Sequence, residues 1–214
     1  MVRSGVVVAD IGTDHAYLPS YLVMSGKIPR AIACDLRQMP LENARETVER
    51  YNISDKIELR LSDGLDAVKP NEVQDIIIAG MGGTLTAQIL ERAQWLKDSG
   101  IRLILQPMTH AEDVRAFLCE NGFEILKESA CEDEGRVYIS ICAEFTGCKK
   151  KYPAGYEFYG ELDRTDDLSQ RFVKKQYVRI KKRADSLRAA GIKEDEAEYC
   201  EAACNGIERF LERE

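Results

Sequence analysis

The sequence has few histidines and no closely paired cysteines. It holds two histidines and seven cysteines among 214 residues, and no two cysteines form a Cys-x-x-Cys pair. An odd number of scattered cysteines favours free thiols in a reducing cytoplasm. Cys200 and Cys204 lie one helical turn apart, and we interpret them as small core residues rather than metal ligands. We therefore expect no metal site.

Long apolar runs and an excess of positive charge are also missing. No apolar run approaches the roughly 20 residues that span a bilayer, and the first five residues have no signal-peptide pattern. The formal net charge of -7 argues against a wholly basic nucleic-acid-binding surface. We expect a cytoplasmic protein without a membrane span, built as one large domain or as one ordinary domain with an appendage.

Apolar β-branched runs alternate with amphipathic segments along most of the chain, which predicts buried parallel strands joined by helices. The predicted strands cover residues 6–8, 31–35, 57–61, 74–79, 102–105, 124–130 and 137–142. The predicted helices cover residues 16–24, 40–51, 85–96, 112–120, 167–190 and 194–211. The short link before the last strand makes an antiparallel hairpin. This α/β layout predicts a class I methyltransferase (Rossmann-like) fold with a mostly parallel seven-strand sheet.

The stretch from Val6 to Pro19 joins the first strand to the first helix through Gly12. Ligands of α/β proteins bind beside such turns, near the backbone N–H groups at the helix start. Asp10 precedes the glycine and Asp14 follows it, and carboxylates repel phosphate groups. The turn therefore suits a cofactor with hydroxyls and positive charge. An ordinary Asp-x-Gly turn is the alternative.

Acidic residues and glycines recur where the next strands end. Asp35 ends the second strand at about the distance past Gly12 at which Rossmann-type sites hold ribose hydroxyls. Asp63 follows the third strand, and we expect a glycine turn at residues 80–83 after the fourth. Alternatively, Asp35 is a solvated strand end, Asp63 is a helix cap, and residues 80–83 form a plain turn. Because the carboxyl ends of parallel strands meet at one edge, we favour a cofactor site there.

The composition changes after Cys148. Residues 149–153 have the character of a linker, and two amphipathic helices follow, the first capped by Asp166 or Asp167. They predict an antiparallel pair. The first helix carries a basic block of Arg171, Lys174, Lys175, Arg179, Lys181, Lys182 and Arg183. It is either a solvated helix face or a surface for a polyanion. We divide the chain into a Rossmann-like domain, 1-148, and a helical coiled-coil domain, 149-214.

Six sequence blocks, in this order and spacing, resemble the bacterial TrmK family: VADIGTDHAYLP, AIACD, PLENA, RLSDGL, IIIAGMGGTL and LILQP. Members of this family are S-adenosylmethionine-dependent methyltransferases that act on N1 of adenine-22 in tRNA. The resemblance implies this activity, S-adenosylmethionine as the cofactor, tRNA as the partner and a C-terminal coiled-coil pair. We expect a monomer or a weak dimer.

The resemblance also implies roles for single residues. The turn from Gly12 to His15 would hold the methionine part of the cofactor, Asp35 the ribose, and Asp63 with Gly64 the adenine. Gly80 and Met81 would lie beside the transferred methyl. The predicted cofactor-binding set is Asp10, Gly12, Thr13, Asp14, His15, Asp35, Leu36, Asp63, Gly64, Gly80 and Met81. The catalytic candidates are Asp14 and Met81. The predicted substrate and RNA contacts are Tyr17, Gly82, Gln106, Arg171, Lys174, Lys175, Lys181 and Lys182.

Met108 departs from the family pattern, which usually has an asparagine after Gln-Pro. An amide that could read a base is lost at this position. Three other functions compete with tRNA methylation. A methyltransferase of a small molecule would use the helices as a lid or a dimer seam, and a non-catalytic RNA-binding module would keep the fold as a scaffold. A nicotinamide oxidoreductase is disfavoured, because the later glycines of Gly-x-Gly-x-x-Gly are missing after the first strand.

Overall fold

A seven-stranded sheet forms the centre of the structure, a computed structural model that describes residues 1–98 and 100–212. The strands are β1 (Val8–Ile11), β2 (Ala31–Asp35), β3 (Ile57–Leu61), β4 (Asp75–Gly82), β5 (Arg102–Thr109), β6 (Phe123–Asp133) and β7 (Arg136–Phe145). Their order is β3-β2-β1-β4-β5-β7-β6. Strands β1 to β5 pair in parallel, and β7 runs antiparallel to both β5 and β6. This confirms the predicted class I methyltransferase sheet.

Helices cover both faces of this sheet. They are α1 (Tyr17–Met24), α2 (Gln38–Arg50), α3 (Gly83–Arg92), α4 (Ala111–Glu120), α5 (Tyr156–Tyr159), α6 (Asp167–Ala190) and α7 (Glu194–Leu211), with a 3-10 turn at Gln94–Asp98. Neighbouring strand residues face opposite sides, so Val8 joins the apolar cluster under α1 and α2 while Ala9 joins the cluster under α3 and α4. Within the described residues, every helix is too short or too polar to cross a bilayer.

Strands β1, β4, β5, β6 and β7 end three or four residues past their predicted limits, because strand pairing continues beyond the apolar run. The first strand was expected at residues 6–8, but β1 continues to Ile11. Within this extension, Asp10 pairs with Ala33 of β2. The glycine turn expected at residues 80–83 is wrong. Strand β4 continues to Gly82 with irregular register, and Met81 pairs with Pro107 of β5. The polar and glycine residues of these ends are therefore held by strand pairing.

Two helical segments differ from the prediction by more than two residues. The helix expected at residues 85–96 ends at Arg92, because the Ala93 N–H bonds to the Leu90 carbonyl three residues back and begins a tighter turn. The short helix α5 was not predicted, since four residues are too few to show a helical period. Asp166 caps α6, its Oδ2 accepting from the Ser169 N–H at 2.8 Å.

Helices α6 and α7 form the predicted antiparallel pair, and their apolar seams face each other. The buried seam residues include Ile180, Ala184, Leu187, Ala197, Cys200, Cys204 and Ile207. Cys200 and Cys204 are thereby confirmed as core residues. The boundary expected at residue 148 falls in the irregular segment between β7 and α5. One apolar cluster nevertheless continues across it, with Leu118 and Val173 as members.

A buried ion pair joins α4 to β6 and contacts the short helix α5. Arg115 of α4 donates to Glu128 of β6 through Nε at 2.8 Å and Nη2 at 2.7 Å, and both side chains are 0% exposed. The remaining Arg115 Nη1 donates to the carbonyl of Glu157 in α5 at 2.9 Å. Gly160 closes the site, since a β-carbon there would overlap the Arg115 guanidinium. One guanidinium thus joins three elements.

We predict that Arg115→Met lowers the free energy of unfolding by about 3–5 kcal/mol, because it leaves the Glu128 carboxylate buried without a partner. The double variant Arg115→Met, Glu128→Leu should recover most of this loss, since it removes both charges. Urea denaturation followed by circular dichroism measures both. Equal losses in the single and double variants would contradict the account.

Candidate active site

The turn after β1 is fixed to the end of β2 by backbone hydrogen bonds. The N–H groups of Gly12 and Thr13 both donate to the Cys34 carbonyl, at 2.8 and 2.9 Å. Beside them, Asp35 Oδ2 accepts from the Asp14 N–H at 3.4 Å. These bonds bring together Asp35 and the first turn, which the sequence analysis assigned to the ribose and the methionine of one cofactor.

The turn itself has an unusual backbone. Asp14 and Ala16 adopt left-handed conformations with φ of 50° and 54°, which cost roughly 1–2 kcal/mol for residues other than glycine. The conformation leaves the Asp14 side chain 65% exposed. It also stacks His15 on Tyr17, with ring centroids 5.1 Å apart and planes 6° from parallel. Strain of this kind is typical of functional sites.

Asp10 lies beneath the turn and is 5% exposed. Its Oδ2 accepts from Thr13 Oγ1 at 2.6 Å. Burial raises the pKa of the Asp10 carboxyl to about 6, and the bond from Thr13 offsets part of that rise. The residues that the structure describes form no ion pair with this carboxylate. At neutral pH the turn therefore has a buried negative charge below it, which favours a positively charged ligand group.

The end of β4 reaches the same place from the other side. The terminal methyl of Met81 packs on Gly12, so closely that a β-carbon on Gly12 would overlap it. The Gly80 N–H donates to Gln106 Oε1 at 2.8 Å, and Gln106 Nε2 lies 3.5 Å from Met108 Sδ. The predicted methyl-transfer residues therefore lie against the predicted methionine-binding turn.

Asp63 is held by a residue that the sequence analysis missed. Arg92 of α3 donates to both of its carboxylate oxygens, at 3.0 and 2.9 Å. The Arg92 guanidinium holds the pKa of Asp63 below its usual value. Gly64, with φ of 60°, leaves room for Ile89. No sequence signal links Arg92 to Asp63, because the two lie 29 residues apart.

The remaining predicted residues fall into two groups. Leu36 is exposed just past β2, and Gly82 pairs with Thr109 of β5. The basic block is divided, because its arginines form ion pairs: Arg171 with Glu132, Arg179 with Glu112, and Arg183 with Glu196. Lys174, Lys175, Lys181 and Lys182 are exposed and form no ion pair among the described residues. The lysines are thus the cations available to an RNA ligand.

One group of described residues has the spacing of metal ligands: His110, Glu112 and Asp113. Both carboxylates already have partners. Glu112 accepts from Arg179 at 2.7 Å, and Asp113 accepts from the Thr84 hydroxyl at 2.6 Å. These contacts explain why the carboxylates of Glu112 and Asp113 are held at this place.

Comparison with known proteins places this chain in a family. The methyltransferase domain family matches residues 1–141. The Bacillus subtilis tRNA (adenine(22)-N(1))-methyltransferase is 40% identical over 143 residues, which is 67% of this chain and 60% of that protein. A Streptococcus pneumoniae putative tRNA (m1A22) methyltransferase, solved in complex with S-adenosyl-L-methionine, is 34% identical with a TM-score of 0.78, over 98% of this chain and 94% of that chain. This chain belongs to the TrmK family.

Other TrmK relatives extend the likeness to the helical pair. The crystal structure of the Bacillus subtilis M1A22 tRNA methyltransferase TrmK gives a TM-score of 0.82 at 27% identity, over 99% of this chain and 94% of that chain. The curated relatives match a shorter stretch. The matched part spans 60% of the Bacillus subtilis enzyme and 62% of a putative tRNA methyltransferase of Mycoplasma genitalium.

We predict that Asp10→Asn stabilises the folded chain at neutral pH. The pKa of Asp10 rises from 3.8 to about 6 on folding, so the unfolded chain releases this proton first. Stability therefore falls as pH rises between these values, and the loss is complete above them. Asparagine carries no charge and keeps an acceptor for Thr13. The gain should be on the order of 3 kcal/mol at pH 8 and small near pH 4.

Urea denaturation at both pH values measures this difference, with the exposed Asp55→Asn as the matched control. A gain of equal size at pH 4 and pH 8, or a loss at pH 8, would show that the Asp10 charge is not the destabilising element.

Proposed function

We propose that this chain transfers a methyl group from S-adenosylmethionine to N1 of adenine-22 in tRNA. The observation that carries the proposal is the packing of Met81 on Gly12 beside Asp35. This contact joins three predicted cofactor elements at one sheet edge. The TrmK relatives named above are described as tRNA methyltransferases of this position, which supports the same activity here.

The chemistry of the donor set fits S-adenosylmethionine. Asp35 presents a carboxylate that can accept from both ribose hydroxyls, and the exposed Leu36 offers an apolar surface beside it. Asp63 keeps lone pairs free for an exocyclic amine, since each oxygen accepts one bond from Arg92 there. Asp10 and Asp14 place negative charge near the turn, which suits the ammonium and sulfonium groups of this cofactor.

The task of the protein is alignment. The cofactor supplies an electrophilic methyl on a cationic sulfur, and N1 of adenine has a lone pair that needs no prior deprotonation. Holding such reactants in line can supply roughly 7–11 kcal/mol of the barrier. Met81 and Gly82 would flank the reacting centre. Asp14, exposed at the rim, would stabilise the positive charge that forms on the methylated base and could accept its proton.

The exposed lysines of α6 support tRNA as the substrate. N1 lies on the Watson–Crick edge, so the base must be turned out, at a cost of a few kcal/mol. Contacts to the phosphates of the surrounding RNA would offset this cost. We expect the reaction in the cytoplasm, in keeping with the unpaired cysteines. Because the seams of α6 and α7 are used within the chain, a monomer or weak dimer remains our prediction.

The first test is methyl transfer to unmodified tRNA transcripts with labelled S-adenosylmethionine, followed by digestion and nucleoside analysis. We predict N1-methyladenosine at position 22 and no label in a transcript with guanine there. Asp35→Asn should weaken cofactor binding by about 10- to 100-fold through lost charge-assisted hydrogen bonds, with Asp55→Asn as the control. Cofactor binding without transfer to any tRNA would instead favour a small-molecule substrate or a non-catalytic RNA-binding module.

We predict that the triple variant of Lys174, Lys181 and Lys182 to glutamine weakens tRNA binding and flattens its salt dependence. The slope of log affinity against log salt should fall by about one for each lysine that contacts a phosphate.

The matched control removes three exposed lysines from the opposite, amino edge of the sheet: Lys27, Lys56 and Lys69. The control variant has the same net charge as the α6 variant. If the salt dependence of tRNA binding depended on net charge alone, its slope would fall equally in both triple variants. Such an equal fall, or an unchanged slope in the α6 triple, would remove α6 as the RNA surface.

A further inference from the structure

A cavity of about 320 Å³ lies between the end of β5, the start of β7 and helix α6. We call it the tail groove. Its walls include Met108 on β5, Tyr138 on β7, and Phe172, Lys175 and Arg179 on α6. The groove is therefore formed jointly by the methyltransferase sheet and the helical tail.

The tail groove lies one strand away from the expected reaction centre. Pro107, which lines the groove, pairs with Met81, and Thr109, which also lines it, pairs with Gly82. An RNA strand that places its target base beside Met81 and Gly82 would have a neighbouring nucleotide within reach of the groove. The position favours the next residue of the same strand over an unrelated ligand.

The side chains in the groove match the parts of a nucleotide. Tyr138 and Phe172 are half-buried rings, and unpaired RNA bases stack on aromatic side chains. The Arg115 guanidinium, 5.9 Å from the Phe172 centroid, holds that ring from behind. Lys175 is exposed and has no ion pair among the residues that the structure describes. It is therefore free to neutralise a phosphate.

Arg179 shapes the groove without adding much charge to it. Its Nη2 donates to Glu112 at 2.7 Å and to Gln176 Oε1 at 2.8 Å, and its guanidinium lies 5.8 Å from the Phe158 centroid. Since Glu112 offsets its charge, Lys175 is the main cation of the groove. The lining combines aromatic and apolar side chains with the polar Thr109, His110 and Gln176 and one such cation, which suits a nucleotide better than a bare polyanion.

We propose that the tail groove holds the nucleotide next to the target adenine, with its base against Tyr138 and Phe172 and its phosphate at Lys175. This assignment rests on the proposed function and deepens it. It also gives Met108 a role. A thioether at this wall offers contact area but no strong hydrogen-bond donor, so Met108 itself adds little preference for one base over another.

The test places 2-aminopurine, whose fluorescence falls when it stacks, on either side of the target adenine in the tRNA. Binding to the wild-type chain should quench the probe at one of these positions. Tyr138→Leu should reduce the quenching and raise KM for tRNA by about fivefold or more while kcat changes little. Lys175→Gln should raise KM and lower the salt slope by about one.

Two control variants lie outside the groove. Tyr199→Leu removes an exposed ring from α7, and Lys56→Gln removes an exposed lysine next to the start of β3. At saturating protein, both should quench the probe as the wild type does. Affinity for S-adenosylhomocysteine reports that each variant is folded.

Unchanged quenching and KM in both Tyr138→Leu and Lys175→Gln, with adenine-22 still methylated, would overturn the tail groove and leave the proposed function standing. A wild-type chain that methylates no tRNA would remove the proposed function and the groove assignment with it.

Discussion

The hydrogen bonds between β1 and β2 continue past Ile11 into the turn that follows β1. The position of this turn, and with it the candidate site, depends on these bonds. A single carbonyl, that of Cys34, accepts from both Gly12 and Thr13. The turn is thereby fixed next to Asp35, and the glycine is presented to the methyl of Met81 from β4. Three strand ends then meet at one edge, as expected for a cofactor site in an α/β protein.

The helical tail (α5 to α7) packs against the sheet domain through a shared apolar cluster. The buried Arg115–Glu128 pair joins α4 to β6, and the remaining Arg115 Nη1 reaches the tail by donating to the Glu157 carbonyl in α5. The tail is held further by the Arg115 guanidinium over the Phe172 ring and by the apolar cluster that continues from α4 into α6. The fixed attachment places Lys175 and Phe172 opposite the end of β5. A site for RNA can therefore span both parts of the chain.

The sheet, most helices and the meeting of the proposed cofactor residues at one edge could be predicted from the sequence, because each depends on local periodicity or on a turn next to a strand. It could not be predicted that Gly80 and Gly82 lie in a strand. Glycine favours a turn, and only the pairing of β4 with β5 overrides this preference. The ion-pair partners of the arginines in the basic block could not be predicted from the sequence either. Arg171 finds Glu132 at a separation of 39 residues, and Arg179 finds Glu112 at 67. Such contacts depend on the tertiary fold.

The most direct test of the account is the structure of the chain bound to both tRNA and S-adenosylhomocysteine. The account predicts that adenine-22 is turned out of its stack, with N1 facing the Met81 end of β4 and the ribose of the cofactor held at Asp35. It also predicts RNA phosphates along the lysines of α6. A complex in which the tRNA lies at the amino edge of the sheet, or leaves α6 in solvent, would contradict it.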